Sequence, residues 1–124
     1  MKLLDDEFKR LITQKPSYKK NHILLFEIDT KYDLISAVTR HLALHNKENK
    51  DKTVIVINNG LFPDDVQLYI RRSNGLSNSR KLIEMARGIG YSAGGKSDVF
   101  GSVFPKDEKN TFLNKILTEY RDCL

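Results

Sequence analysis

Gly90-Tyr91-Ser92-Ala93-Gly94-Gly95-Lys96-Ser97 satisfies the Walker A pattern letter for letter, and its flanks decide what fold it belongs to. A P-loop needs a strand leading into the glycines and a helix leaving them, so that backbone N–H groups and the helix N-terminus converge on phosphates. Here the order is inverted. Ser79 to Ile89 has helical periodicity, and Asp98 to Phe104 alternates like a strand. The stretch is therefore expected to be a glycine-rich turn that lets backbone and Lys96 approach an anion, not a loop for ATP or GTP hydrolysis.

Upstream of that helix, Val66 to Arg71 alternates apolar with polar or aromatic residues, and Arg72-Ser73-Asn74-Gly75 makes a turn. Ser77 or Ser79 is placed to cap the helix, with Leu82, Ile83, Ala86 and Ile89 facing inward and Gly88 and Gly90 ending it. Two apolar runs, His22 to Ile28 and Thr53 to Ile57, have the length and β-branched content of strands covered on both faces. Between them Asp33 is placed to cap a helix running to about His45, with Leu34, Ile35, Val38 and Leu42 inward. The tract Asn46 to Lys52 reads as a mobile loop, too polar to pack. Leu3 to Thr13 is an amphipathic helix stopped by Pro16, and Pro105 and Asp107 introduce a last helix with Phe112, Leu113, Ile116, Leu117 and Tyr120 inward. The expected architecture is a single α/β domain with a mixed sheet of about four to five strands flanked by helices. Residues 1–20 are read as helix and linker and 21–124 as the binding domain.

A chain of 124 residues, 40% hydrophobic and 30% charged, can bury a continuous core without metal or disulfide staples. No apolar run is long enough to span a membrane and the acidic N-terminus is unlike a secretion signal, so a cytoplasmic location is expected and a membrane partner is not. Charge is unevenly distributed. From Val66 to Lys96, six cations (Arg71, Arg72, Arg80, Lys81, Arg87 and Lys96) face only Glu84, a net +5, and the rest of the chain sums to zero. That is the footprint of a polyanion partner, against the plainer alternative of cations scattered on a solvated surface.

Chemistry-bearing clusters are scarce. Of the three histidines, His41 and His45 are spaced i, i+4, but no HExxH pattern or nearby acidic ligand accompanies them, so packing at a helix edge is the expected role. Asp29 follows an apolar strand as a Walker B carboxylate does, although a turn role suits its context better. Cys123 is the lone cysteine and is expected to be inert. No metal, cofactor or catalytic set is expected, and hence no intrinsic nuclease activity.

From Ile23 to about Leu117 the pattern resembles the C-terminal, DHH-associated substrate-binding domain of the RecJ-like DHH phosphoesterases. Two motifs support the likeness: Arg72-Ser73-Asn74 after an alternating strand, and Gly94-Gly95-Lys96-Ser97-Asp98-Val99-Phe100-Gly101, one helix later, where the family has Gly-Gly-His and then small residues. The resemblance implies that Arg72 forks onto a phosphate with Ser73 and Asn74 donating beside it and that Gly94 and Gly95 admit a close backbone, while Arg71 and Arg80 join the same surface as members of the basic window. Lys96 in place of histidine keeps a cation but loses an acceptor, and Val99 and Phe100 replace small residues with bulk that could fill the groove.

Three readings follow. The chain is a noncatalytic module for single-stranded DNA or RNA, with Tyr69 or Tyr91 stacking on a base and about five phosphate contacts, which would weaken binding roughly a hundredfold between 50 and 200 mM salt. Alternatively it is a protein-binding scaffold, as in archaeal RecJ-like proteins that join GINS in DNA replication or repair. Or it is the C-terminal piece of a single-strand exonuclease whose catalytic DHH domain is separate. All site readings share one geometric expectation, that the cations of the two motif turns meet on one ledge.

Overall fold

In the computed structural model residues 2–121 are described, with side chains from Leu4 to Tyr120; Cys123 lies outside them. The strands are β1 (Tyr18–Lys20), β2 (Ile23–Ile28), β3 (Thr53–Asn58), β4 (Asp65–Arg72), β5 (Ser92–Lys96) and β6 (Val99–Pro105). The helices are α1 (Lys2–Ile12), α2 (Ile35–Arg40), α3 (Ser79–Ile89) and α4 (Lys109–Arg121). The mixed sheet runs β1-β2-β3-β4-β6-β5, with β2 and β3 parallel and every other pair antiparallel. The α/β single domain is as expected, with more strands than the four to five read from the sequence.

Both extra strands lie at sheet edges, where no buried side chains are needed to specify them. β1 is exposed at all three residues and is held by its backbone, with the adjoining Ser17 N–H donating to the Leu25 carbonyl at 2.8 Å. β5 is the glycine stretch itself. Rather than a turn it is an extended edge strand, and the reversal lies at Ser97-Asp98, between the paired Lys96 and Val99. Residues 2–20 thus contribute a helix and a strand to the same fold.

Two apolar layers sandwich the sheet. On one face α3 and α4 lay Leu82, Ala86, Phe112 and Ile116 on Ile55, Leu68, Ile70, Phe100 and Phe104. On the other, Leu11 of α1 and Ile35, Val38 and Leu42 of the α2 region cover Leu24, Phe26, Val54 and Val56. β3 is buried at all six positions because both layers reach it.

Local departures have local causes. α2 passes into a π-turn over His41–His45, and the Thr39 hydroxyl donates back to the Ile35 carbonyl at 2.7 Å, a bond that loosens the helical ladder. Neither helix is capped as expected: α2 starts after Leu34 and α3 after Asn78, both without a side-chain cap bond, while Asp33 instead accepts from Gln67. Gly90, in the left-handed region, ends α3, but Ile89 points outward and is exposed. The tract after His45 does pack, because Asn49 is buried and donates from Nδ2 to the Leu42 carbonyl at 2.9 Å.

Candidate nucleic-acid interface

The two layers do not cover the sheet equally. Alternation along β4 sends Val66, Leu68 and Ile70 toward α3 and α4, and Gln67, Tyr69 and Arg71 to the face shared with α1 and α2. The helices on that face cover β2 and β3 and stop near Tyr69. Beyond it the β4-β6-β5 half of the sheet is an open groove of about 670 Å³. Its floor is built in rows by strand register, Arg71 beside Val99 and Lys96, Tyr69 beside Gly101 and Gly94, and Gln67 beside Val103 and Ser92. Ser36 and Arg40 of α2 form the wall.

Glycines make the middle row flat. The Tyr69 ring lies over Gly101, where an added Cβ would stand 3.0 Å from Tyr69 Cζ, so the absent side chain leaves room for the ring. Above Gly94 there is open space. Gly95 has φ of +153°, and a Cβ there would collide with the Val99 carbonyl, so the hairpin requires glycine at this position.

The groove is electrically one-sided. At one end Arg40, Arg71 and Lys96 meet a single acid, Asp98, whose carboxylate pairs with Arg71 Nη2 at 3.0 Å. Arg71 is only 15% exposed and its Nε is buried without a partner among the described residues, so its charge is poorly hydrated and held in place. Arg40 and Lys96 have no carboxylate partner among the described residues.

The other end, about 13 Å away at roughly 3.3 Å per strand residue, is neutral to acidic. There Gln67 joins a chain of amides and carboxylates: Asn58 Nδ2 donates to Gln67 Oε1, and Gln67 Nε2 donates to Asp33 Oδ1, each at 3.2 Å. Behind them Thr30 donates its hydroxyl to Glu7 at 2.5 Å. The bidentate Arg10 guanidinium, followed by that hydroxyl, holds the Glu7 carboxyl down at about 2.

The two motif turns do adjoin, since Leu76 N–H donates to the Ser97 carbonyl at 2.9 Å. Their side chains part company there. Arg71, Gly94, Gly95 and Lys96 line the groove. Arg72 falls on the opposite face by alternation, opposite Thr53, and its Nε is buried. Ser73 Oγ accepts from the Asp51 N–H at 2.9 Å, and Asn74 is exposed in the turn. Arg80, 92% exposed and paired with Glu84 at 3.4 Å, lines a separate hollow of about 410 Å³ together with Lys96. The remaining cations of the basic window are engaged elsewhere: Lys81 pairs with Glu119 at 2.7 Å, and Arg87 Nε donates to the Ala93 carbonyl at 3.0 Å. The common ledge is thus smaller than expected.

Tyr91 is not a platform. It stacks on Phe104 with ring centres 5.3 Å apart, meets Phe112 edge-on, and donates its hydroxyl to Glu108 at 2.6 Å. Burial first and that carboxylate second push its pKa up to about 12. Of the bulky replacements, Phe100 is fully buried in the core and only Val99 faces the groove. The residues sequence reasoning missed are Ser36, Arg40 and Gln67. The alternation of β4 sets Gln67 on the face of Tyr69 and Arg71 without marking it as a site residue, whereas Arg40 required the packing of α2. His41 and His45 rings lie 5.6 Å apart, and no group of three His, Cys, Asp or Glu among the described residues could hold a metal.

Neither a protein-family model nor a curated protein matches this chain. Among solved structures, the C-Ala domain of alanyl-tRNA synthetase from Aquifex aeolicus is similar, at 21% identity over 86% of this chain and 96% of that one with a TM-score of 0.48. Nothing about this chain's ligand follows from that likeness.

Proposed function

We propose that the open β4-β6-β5 face binds single-stranded nucleic acid without cutting it. The observation that supports this most directly is the row order of the groove floor, in which an aromatic ring lies between a cationic end and a polar one. Single strands are held by that combination, phosphates on cations and a base on an aromatic face. A duplex offers no free base face to Tyr69. The groove's side chains are suited to holding and orienting anions, and the reading assigns them no chemistry. The RecJ-like resemblance supports the same direction and adds a replication or repair assembly, with GINS as the partner class it implies.

Fluorescence anisotropy with a labelled ten-nucleotide single strand at low salt tests the reading. Binding is expected, and the Arg71→Ala/Lys96→Ala double variant is expected to weaken it by at least about tenfold. An unweakened double variant, or no binding by the native chain, would refute it. A pull-down of replication proteins that survives high salt, without measurable oligonucleotide binding, would reassign the surface to a protein partner.

A further inference from the structure

Resting on that reading, we propose that the amide-and-carboxylate end of the groove recognises guanine, with Gln67 and Asp33 meeting its Watson–Crick edge. The argument starts at Asn58, which is 1% exposed. Its Oδ1 accepts from the backbone N–H groups of Thr30 and Gly60, both at 3.0 Å. Two backbone donors admit only an oxygen at that position, so the orientation of this amide is fixed. Its Nδ2 then donates to the Thr30 carbonyl at 3.1 Å and to Gln67 Oε1 at 3.2 Å.

The constraint passes along the chain. With its oxygen engaged by a donor, Gln67 must turn Nε2 toward Asp33 Oδ1, at 3.2 Å. An amide nitrogen has two hydrogens, and Asp33 takes one. The second hydrogen has no acceptor, and Asp33 Oδ2 no donor, among the described residues. Gln67 lines the groove with 7% of its surface exposed, and Asp33, outside the groove lining, is exposed at the far side of Gln67. The groove end therefore offers one N–H donor followed by a carboxylate.

That order complements guanine, which presents the O6 acceptor and then the N1–H and N2–H donors. Adenine would set its N1 lone pair against the carboxylate. Cytosine would face it with two acceptors, and uracil or thymine would satisfy only one of its oxygens. Tyr69, two residues along β4 on the same face, supplies the ring beside the base, and the phosphate-holding cations begin at Arg71.

The test uses the whole chain and ten-nucleotide thymidine tracts with one central guanine, hypoxanthine or adenine, which cannot form guanine quadruplexes within a strand. Guanine is expected to bind about tenfold more tightly than adenine, with hypoxanthine, lacking the N2 amino group, between them. Asp33→Asn removes an exposed acid that faces adenine's lone pair and holds guanine's N–H groups, so it should raise affinity for the adenine strand and lower it for the guanine strand, abolishing the guanine-to-adenine ratio. Equal affinity for guanine and adenine strands, or a ratio unchanged in Asp33→Asn, overturns the inference and leaves groove binding standing. Failure of every strand to bind overturns both.

Discussion

Replacing Arg71 and Arg72 by alanine, one at a time, separates two side chains that are adjacent in sequence and on opposite sides of the sheet. Three cations, Arg40, Arg71 and Lys96, reach the groove. At about 0.7 in log–log slope per phosphate on a single strand, three contacts give a slope near −2, or roughly twentyfold weaker binding from 50 to 200 mM salt. Arg71→Ala should bring the slope to about −1.4, cutting that loss to roughly sevenfold, and should lower affinity at every salt because Asp98 is left in the groove without its 3.0 Å partner. Asp98→Asn should act in the opposite sense and tighten binding. Arg72→Ala should leave the slope unchanged. Anisotropy titrations at four salt concentrations read all of these, with thermal melts confirming that each variant folds. A native slope near −3.5, or an Arg72→Ala effect equal to that of Arg71→Ala, would mean that the strand also runs over the outward cations and that the groove is not its path.

Gly95→Ala should destabilise the fold by about 1–3 kcal/mol, measured by urea unfolding, because φ of +153° disfavours a side chain and the new Cβ meets the Val99 carbonyl; a change within a few tenths would refute the strained-hairpin argument. Glu7 makes stability fall in acid. Its folded pKa of about 2 lies below the ordinary 4.5, so the stabilisation is full above pH 4.5 and is lost as pH falls toward 2. A Glu7→Gln variant should show a flatter acid limb over that window in thermal melts, and an identical limb would remove Glu7 as its cause.

The legible parts of the fold were those specified by burial. The apolar runs of β2 and β3, the alternation of β4 and β6 and the stripes of α3 and α4 each announce a face that must be covered. β1 and β5 announce nothing, because edge strands are made by backbone pairing and Tyr18-Lys19-Lys20 and Ser92-Ala93-Gly94-Gly95-Lys96 have no buried period. The site was half legible for a related reason. Net charge along the chain locates the region, but charge carries no direction, and the alternation that sets Gln67, Tyr69 and Arg71 on one face of β4 stops one residue short of Arg72, which the resemblance puts at the site. Arg40 was hidden entirely, since it joins the groove through the packing of α2 across β4 rather than through any local pattern.

The rim of the groove is also the last strand of the sheet. β5 turns one row of backbone groups outward, and such a row invites a strand from another molecule. Arg87 occupies the Ala93 carbonyl on that border, and Lys96 sets a like charge against any second copy that approaches. The basic residues of this strand and its neighbouring helix thus stand at the edge where another strand would pair. Positive charge at one border would then serve two ends, disfavouring the pairing of like edges and favouring an anionic ligand.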